Sequence, residues 1–380
     1  MDGKFKFAFT GTLSILGLTV VSLFSSCSFN ASITPPVARE GWRPEIVGTA
    51  EHTAVVAAMP PFELRDDEGN RIVQDNAKAN VRLWKWAKMV NGGQHLPNIP
   101  QEVGDCVSWG AANAINYTAA VQIARDGTPE EFHRAFPPYL YGTSRVFIGK
   151  NGIRGDGSVG AWAAKAAQEY GVLRADASGV PEYSGNLARA WGRKPGPPEE
   201  FVAVAKPFSI KTVAKMRSSD DVRDAVCNGY GVTIASDCGF LMTPPIKDGR
   251  RVNRRSGNWN HQMSIVGYDG ETGGEPYWYV LNSWGATAHG EPADDAPPGG
   301  FWITAKDVEY IVRQGDSFAF SGFNGFPSQP LDFKVFGKAK RVKPEPRSAP
   351  EAKPAAPDFK VFPTPQKQAA IRGRMFPQSV

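Results

Sequence analysis

Apolar positions recur at helical spacing in the first half of the globular part of the chain and at strand spacing in the second. In "ANVRLWKWAKMVNGG", Val81, Leu83, Trp84, Ala87 and Val90 fit a short helix closed by Gly92. In "CVSWGAANAINYTAAVQIARDG", Ala111, Ala114, Ile115, Ala119 and Ile123 share one helical face, and Asp126-Gly127 is a stop signal. The many alanines suit a helix packed closely on several sides. "SVGAWAAKAAQEYGVL" predicts another helix, capped by Ser158 and stopped by Gly171, and "SSDDVRDAVCNG" a further one. Strand-like runs then follow: "GYGVTIAS", the alternating "HQMSIVGYDG", "PYWYVLNSWG" and "GGFWITAKDVEYIV". Helices first and strands second argue for an α+β protein with two lobes.

The ends have a different texture. Lys4 and Lys6 precede an uncharged run from Phe7 to Phe24, followed by small residues, the layout of an export signal. That run of 18 residues is at the lower edge of membrane-spanning length, and Cys27 after "FSS" resembles a lipoprotein cleavage box. Cleavage, lipidation and an uncleaved anchor all remain open for residues 1–35. The expected location is therefore the cell envelope, membrane-attached or as a lipoprotein, or secretion. Residues 36–79 read as an N-terminal extension with few helical patterns, so control by a folded prodomain is not expected.

Beyond Phe326 the periodic apolar pattern stops. Residues 327–380 hold ten prolines, 11 basic and four acidic residues, a net charge of +7 in a chain whose total is +5. The basic balance thus belongs to the tail, which is expected to be disordered because it cannot bury enough apolar area to offset chain entropy. Without a basic folded surface, nucleic-acid binding is not expected. "DFKVF" occurs twice in the tail, at 332–336 and 358–362, and reads either as a docking segment for a partner or as a duplicated linker.

The candidate chemistry lies between the ends. Besides Cys27 there are Cys106, Cys227 and Cys238, with no CxxC pair, so neither a zinc site nor another cofactor is expected, and Cys227 and Cys238 are read as buried free thiols. Cys106 opens the alanine-rich helix, His261 opens a strand, and Asn282 ends the next one. The gaps from Cys106 are 155 and 176 residues. Cysteine, histidine and asparagine in that order, about 130–150 residues apart, are the arrangement of one class of thiol hydrolase.

At these positions the chain resembles the papain-like cysteine peptidases. "QEVGDCVSWGAANA" is similar to their glutamine-to-cysteine segment, "WNHQMSIVGYD" to their histidine strand, and "YVLNSWG" with "GGFWIT" to their asparagine strand and closing hairpin. "GDGSVGAWAAKAAQEYGVL" resembles their Gly-rich substrate strand and helix, and "DDVRDAVCNGYGVTIAS" the unit ahead of the histidine. The resemblance runs from about Asn80 to Gly322 and implies a two-lobed papain-like domain over 80–326, with the nucleophile on a helical lobe and His/Asn on an antiparallel β lobe.

It further implies Cys106 as nucleophile, His261 as acid/base, Asn282 as orienter of the imidazole, and Gln101 as oxyanion donor. Trp284 would shelter the His–Asn hydrogen bond, and Asp156, Gly157, Ser158, Ala235 and Met263 would line the substrate cleft. Helix capping equally accounts for Asp156 and Ser158, and core packing for Ala235 and Met263. The implied activity is hydrolysis of peptide bonds in a peptide or protein substrate through a thioester. An amidase or acyl-transferase on a non-protein amide and a degenerate peptide-binding protein are the alternatives. Three departures bear on them: Gln101 precedes Cys106 by five residues where six are usual, Val107 replaces tryptophan, and Asp105 puts a carboxyl beside the thiol. A carboxylate there opposes thiolate formation unless it points to solvent. His289, in the loop "ATAHGEPADDAPP", is expected to be solvated.

Overall fold

A computed structural model describes residues 40–127, 131–271 and 274–331. The leader reading and both DFKVF repeats lie outside these residues. Among the described residues no helix is long and apolar enough to cross a membrane.

The helices are α1 (Ala50–Ala57), α2 (Trp84–Val90), α3 (Cys106–Asp126), α4 (Pro137–Gly142), α5 (Gly160–Glu169), α6 (Gly185–Trp191), α7 (Glu199–Ala205), α8 (Ser219–Cys227) and α9 (Ala305–Val312). The strands are β1 (Leu64–Arg65), β2 (Asn80–Arg82), β3 (Thr212–Lys215), β4 (Val232–Phe240), β5 (Ile246–Lys247), β6 (Arg250–Arg251), β7 (Arg255–Asp269), β8 (Tyr277–Leu281), β9 (Gly300–Thr304), β10 (Phe318–Ser321) and β11 (Phe326–Pro327). Seven strands form one antiparallel sheet in the order β3-β10-β4-β7-β8-β9, with β2 also on β7. The expected α+β class is the observed one: helices α3 to α7 build one lobe, and the sheet with α8 and α9 the other.

Two elements differ from the sequence reading. The first residues of "NVRLWKWAKMV" are a strand, because Val81 pairs opposite Tyr268 with only its own side chain buried, a period-two pattern; the helix begins at Trp84. "AKDVEYIV" is helix α9, not strand. Thr304 accepts from the Asp307 N–H while Asp307 reaches back to the Thr304 N–H, a reciprocal cap that stops β9 and starts the helix in one step.

Helix α3 lies directly on the sheet. A Cβ on Gly110 would meet Gln262 Cγ at 3.0 Å, and one on Gly231 would meet the Ala114 carbonyl at 2.4 Å. Strand side chains then bond the helix backbone: Gln262 Nε2 donates to Val107 O at 2.8 Å and Ser264 Oγ to Gly110 O at 2.9 Å. These bonds set the register between α3 and β7, placing the first turn of the helix beside the residues around position 261.

Helix α5 is capped from a distance. Val159 occupies the cap position without a side-chain bond, and Ser158 turns instead to Ser144 Oγ at 3.0 Å. The buried Asp316 carboxylate accepts from Gly160 N at 2.6 Å and Ala161 N at 2.8 Å, so negative charge meets the positive end of the helix. Asp316 also takes Trp42 Nε1 at 2.8 Å and His52 Nε2 at 3.3 Å, tying the segment ahead of α2 to the domain. Asp316→Ala is expected to lower stability by about 3 kcal/mol, because four donors lose a buried charged partner. Urea denaturation of the purified chain checks this, and a change under about 1 kcal/mol would show that water replaces the carboxylate.

Candidate active site

Cys106 is the first residue of α3 and is fully buried. The Gln262 backbone N–H, one residue beyond His261, faces its sulfur, and so do the N–H groups of Gly41 and Trp42. Burial dominates over these donors, with the Asp105 carboxyl adding to it, and pushes the thiol up to about 12. The thiol of this form is therefore protonated.

The cover over the sulfur is residues 40–43. Gly41 N and Trp42 N each donate to Asn260 O at 3.0 Å, Arg43 N donates to Ser158 O at 3.1 Å, and Ser158 N donates to Gly41 O at 2.8 Å. The strand bridge between Trp42 and Ser158 is parallel. Close approach is possible only because both chains carry glycine: a Cβ on Gly41 would meet Gly104 O at 2.0 Å. Nothing in the periodicity of residues 36–79 signals this strap; its trace in the sequence is the Gly-Trp pair itself.

His261 is buried, with Nε2 2.8 Å from Asn282 Oδ1. The Trp284 ring packs against the imidazole, tilted at 43° with ring centroids 4.7 Å apart. Asn282 Oδ1 also accepts from Ser283 N at 2.7 Å. The loop before Cys106 is bound to this same segment: Gln101 N donates to Ser283 O at 2.8 Å, Ser283 Oγ to Gln101 Oε1 at 2.6 Å, and Asn98 Nδ2 to Asn282 O at 2.9 Å. Asn98 was not singled out in the sequence, where it is one polar residue in a proline-rich loop. The shortened Gln101–Cys106 spacing is taken up by a tight turn in which Gln101 Nε2 donates to Val103 O at 2.8 Å.

The remaining predicted residues divide. Asp156, Gly157 and Ser158 form the loop next to the strap, and Gly157 at φ 113 holds a conformation that favours glycine. The buried Arg145 fixes this loop by donating to the carbonyls of Gly157, Gly155 (2.7 Å) and Ile153 (3.3 Å). Asp156 is ion-paired with Arg189 at 2.9 Å. Ala235 packs in the apolar cluster that contains Cys106 and Trp42, whereas Met263 packs in the main core of the sheet.

One condition is decided and one expectation corrected. The Asp105 carboxyl takes the buried alternative: it is fully buried and accepts from Tyr183 Oη at 3.1 Å. Burial, opposed by the Tyr183 hydrogen bond, raises its carboxyl to about 8, so near neutrality it is largely the neutral acid. His289 is not solvated but fully buried, with Nε2 2.9 Å from Asn282 Nδ2. The polar composition of its loop concealed this.

Its raised pKa makes Asp105 a liability to the fold as pH rises. The folded state holds the proton up to about pH 8, whereas an unfolded carboxyl loses it near 4. The contribution is therefore most favourable below pH 4 and declines through the window from 4 to 8. Asp105→Asn is expected to remove this decline, so that the variant gains several degrees of Tm on wild type between pH 5 and pH 8. Parallel pH–Tm curves for the two proteins would show that Asp105 does not titrate in that window.

By sequence, residues 206–292 match the model of the papain family cysteine proteases, a span that includes His261 and Asn282. No curated protein matches the chain. Among solved structures, xylellain, a cysteine protease from Xylella fastidiosa, is 17% identical, with 76% of this chain and 94% of that one covered and a TM-score of 0.43. Digestive procathepsin L 3 from the larval midgut of Tenebrio molitor is 17% identical, covering 72% and 79%, with a TM-score of 0.42. The ragweed pollen allergen Amb a 11, a cysteine protease in its proform, is 15% identical, covering 71% and 74%, with a TM-score of 0.46.

Proposed function

We propose that this chain, a member of the papain family, hydrolyses peptide bonds with Cys106 as nucleophile and that residues 40–43 cover the site between turnovers. The carrying observation is the buried His261–Asn282 hydrogen bond beneath Trp284, on the strand to which the first turn of α3 is registered. In the neutral His261 ring with Nε2 bonded to Asn282, Nδ1 holds the lone pair. Once the strap leaves, Nδ1 takes the Cys106 proton, and the positive end of α3 and the imidazolium stabilise the thiolate.

The thiolate then adds to the substrate carbonyl. The oxyanion is met by the Cys106 backbone N–H and by the Gln101 side-chain amide. His261 returns its proton to the leaving amine, and water cleaves the thioester with His261 as base. Ser158, whose N–H and carbonyl both bond the strap, would offer the same two groups to an extended substrate. The substrate is read as a peptide because the strap itself is a peptide seated in extended form on these groups.

A peptide-binding protein without turnover is the competing reading, favoured by the buried carboxyl of Asp105 beside the thiol. Two measurements separate them. Trp42→Ala removes the strap's bond to Asp316 and its apolar anchor. It is expected to speed alkylation of Cys106 at least tenfold at neutral pH, and His261→Ala in that background to slow it again by a similar factor. Cleavage of a peptide library by Trp42→Ala should disappear in the Trp42→Ala/Cys106→Ala protein. Peptide binding without cleavage, with Cys106 no more reactive than Cys227, would sink the hydrolase reading.

A further inference from the structure

Asn282 stands in the middle of a buried line of hydrogen bonds. Its Oδ1 lies 2.8 Å from His261 Nε2, its Nδ2 lies 2.9 Å from His289 Nε2, and His289 Nδ1 lies 3.0 Å from the Met242 carbonyl. The chemistry of the last group assigns every proton along the line. A carbonyl only accepts, so Nδ1 of His289 carries hydrogen. In the neutral ring Nε2 is then a lone pair, and the amide that meets it must donate. The Asn282 nitrogen therefore faces His289 and its oxygen faces His261, in agreement with the Ser283 N–H that bonds the same oxygen. His261 is left to carry its proton on Nε2 and its lone pair on Nδ1.

The surroundings of His289 support a neutral ring. It is packed against Phe301 with centroids 4.7 Å apart and lies beside Trp284 and Trp259 at 6.0 and 6.3 Å. Burial lowers its imidazole to about 4, with the Met242 carbonyl opposing in part. The loop from Ala286 to Pro298 thus supplies a buried imidazole, and that imidazole touches the residue read as the orienter of the acid/base histidine.

We propose that His289 is a positioning residue: by accepting from Asn282 it holds the amide in one orientation and so holds His261 in the Nε2–H tautomer, with Nδ1 as its base. The proposal rests on the reading of His261 as acid/base, and it concerns a residue outside the motif segments that carry the family resemblance.

The test uses the full-length chain in the Trp42→Ala background, so that the strap does not limit the rate. His289→Leu is expected to slow His261-dependent alkylation of Cys106 by about tenfold, the scale of one hydrogen bond to a reacting unit. His289→Gln, whose oxygen can accept from Asn282 while its nitrogen donates to Met242, should recover most of that loss. In an Asn282→Ala background His289→Leu should have no further effect, because the two act in series. Where alkylation depends on His261, equal rates for His289→Leu and its parent, or an undiminished effect without Asn282, would overturn the proposal.

Imidazole ¹⁵N NMR of the full-length parent gives a readout independent of turnover. At neutral pH His289 should be the Nδ1–H tautomer and His261 the Nε2–H tautomer, the latter becoming a mixture in His289→Leu. A doubly protonated or Nε2–H His289, or an unchanged His261 in that variant, overturns the proposal whatever the rates. If instead the spectra follow expectation while alkylation ignores His261, the hydrolase reading fails and the positioning arrangement stands.

Discussion

The contact on which the site depends is that between α3 and the face of β4 and β7. Two glycines remove the side chains that would hold helix and sheet apart, and Gln262 and Ser264 then bond helix carbonyls directly. Helix carbonyls already accept from within α3, so these bonds add little to the helix itself; what they add is register. A slip of one residue along β7 would send Gln262 and Ser264 to the opposite face and bring His261 and Met263 under the helix. Cys106, Gln262 and His261 keep their relation only in the observed register. The loop from Asn98 to Asp105 is fixed by the same logic at its other end, because it is bonded to Asn282 and Ser283 before it enters α3.

How much of this could be read from the sequence follows from what each feature requires. The α+β class, α3, α5, α8 and the strands around His261 and Asn282 announce themselves through periodicity, since each buries one face over many residues. The family resemblance singled out Cys106, His261, Asn282 and Trp284, because short segments of specific composition surround them. What stayed hidden depends on distant partners. The cap of α5 comes from Asp316, 156 positions beyond the helix start, and no local pattern points to it. Asp105 looks like a surface carboxyl until Tyr183 is folded over it.

The loop holding His289 misled for an instructive reason. Its prolines and acids suggest solvent, yet they are the means by which it is held down. Tyr279 Oη donates to the Pro297 carbonyl, Trp302 Nε1 to Asp294 at 3.1 Å, and the Arg251 guanidinium to the Glu291 carbonyl. Polar residues anchored to the body outside leave the single imidazole turned inward. Composition reports what a loop contains, not which of its atoms are already satisfied, and burial is decided by the second.

The strap poses an energetic question that its geometry answers. Its four backbone bonds and the Trp42–Asp316 bond contribute about 1 kcal/mol each, and burial of Trp42 about 2–3 more. Ordering four residues costs about 4–8 kcal/mol in backbone entropy alone. The balance is near zero to a few kcal/mol, so residues 40–43 form a cover that a better-bonded chain can displace, not a permanent strand of the domain. Helix α1 is bound through His52 to Asp316, so a displaced strap would stay at high effective concentration. Under the proposed function a substrate would compete with this tethered segment for Ser158, and weak substrates would lose apparent affinity in proportion to the covered fraction. The same cover accounts for the raised thiol: with water excluded from Cys106, charge is disfavoured there while the strap is in place, so under the proposed function activation of Cys106 is coupled to its exposure.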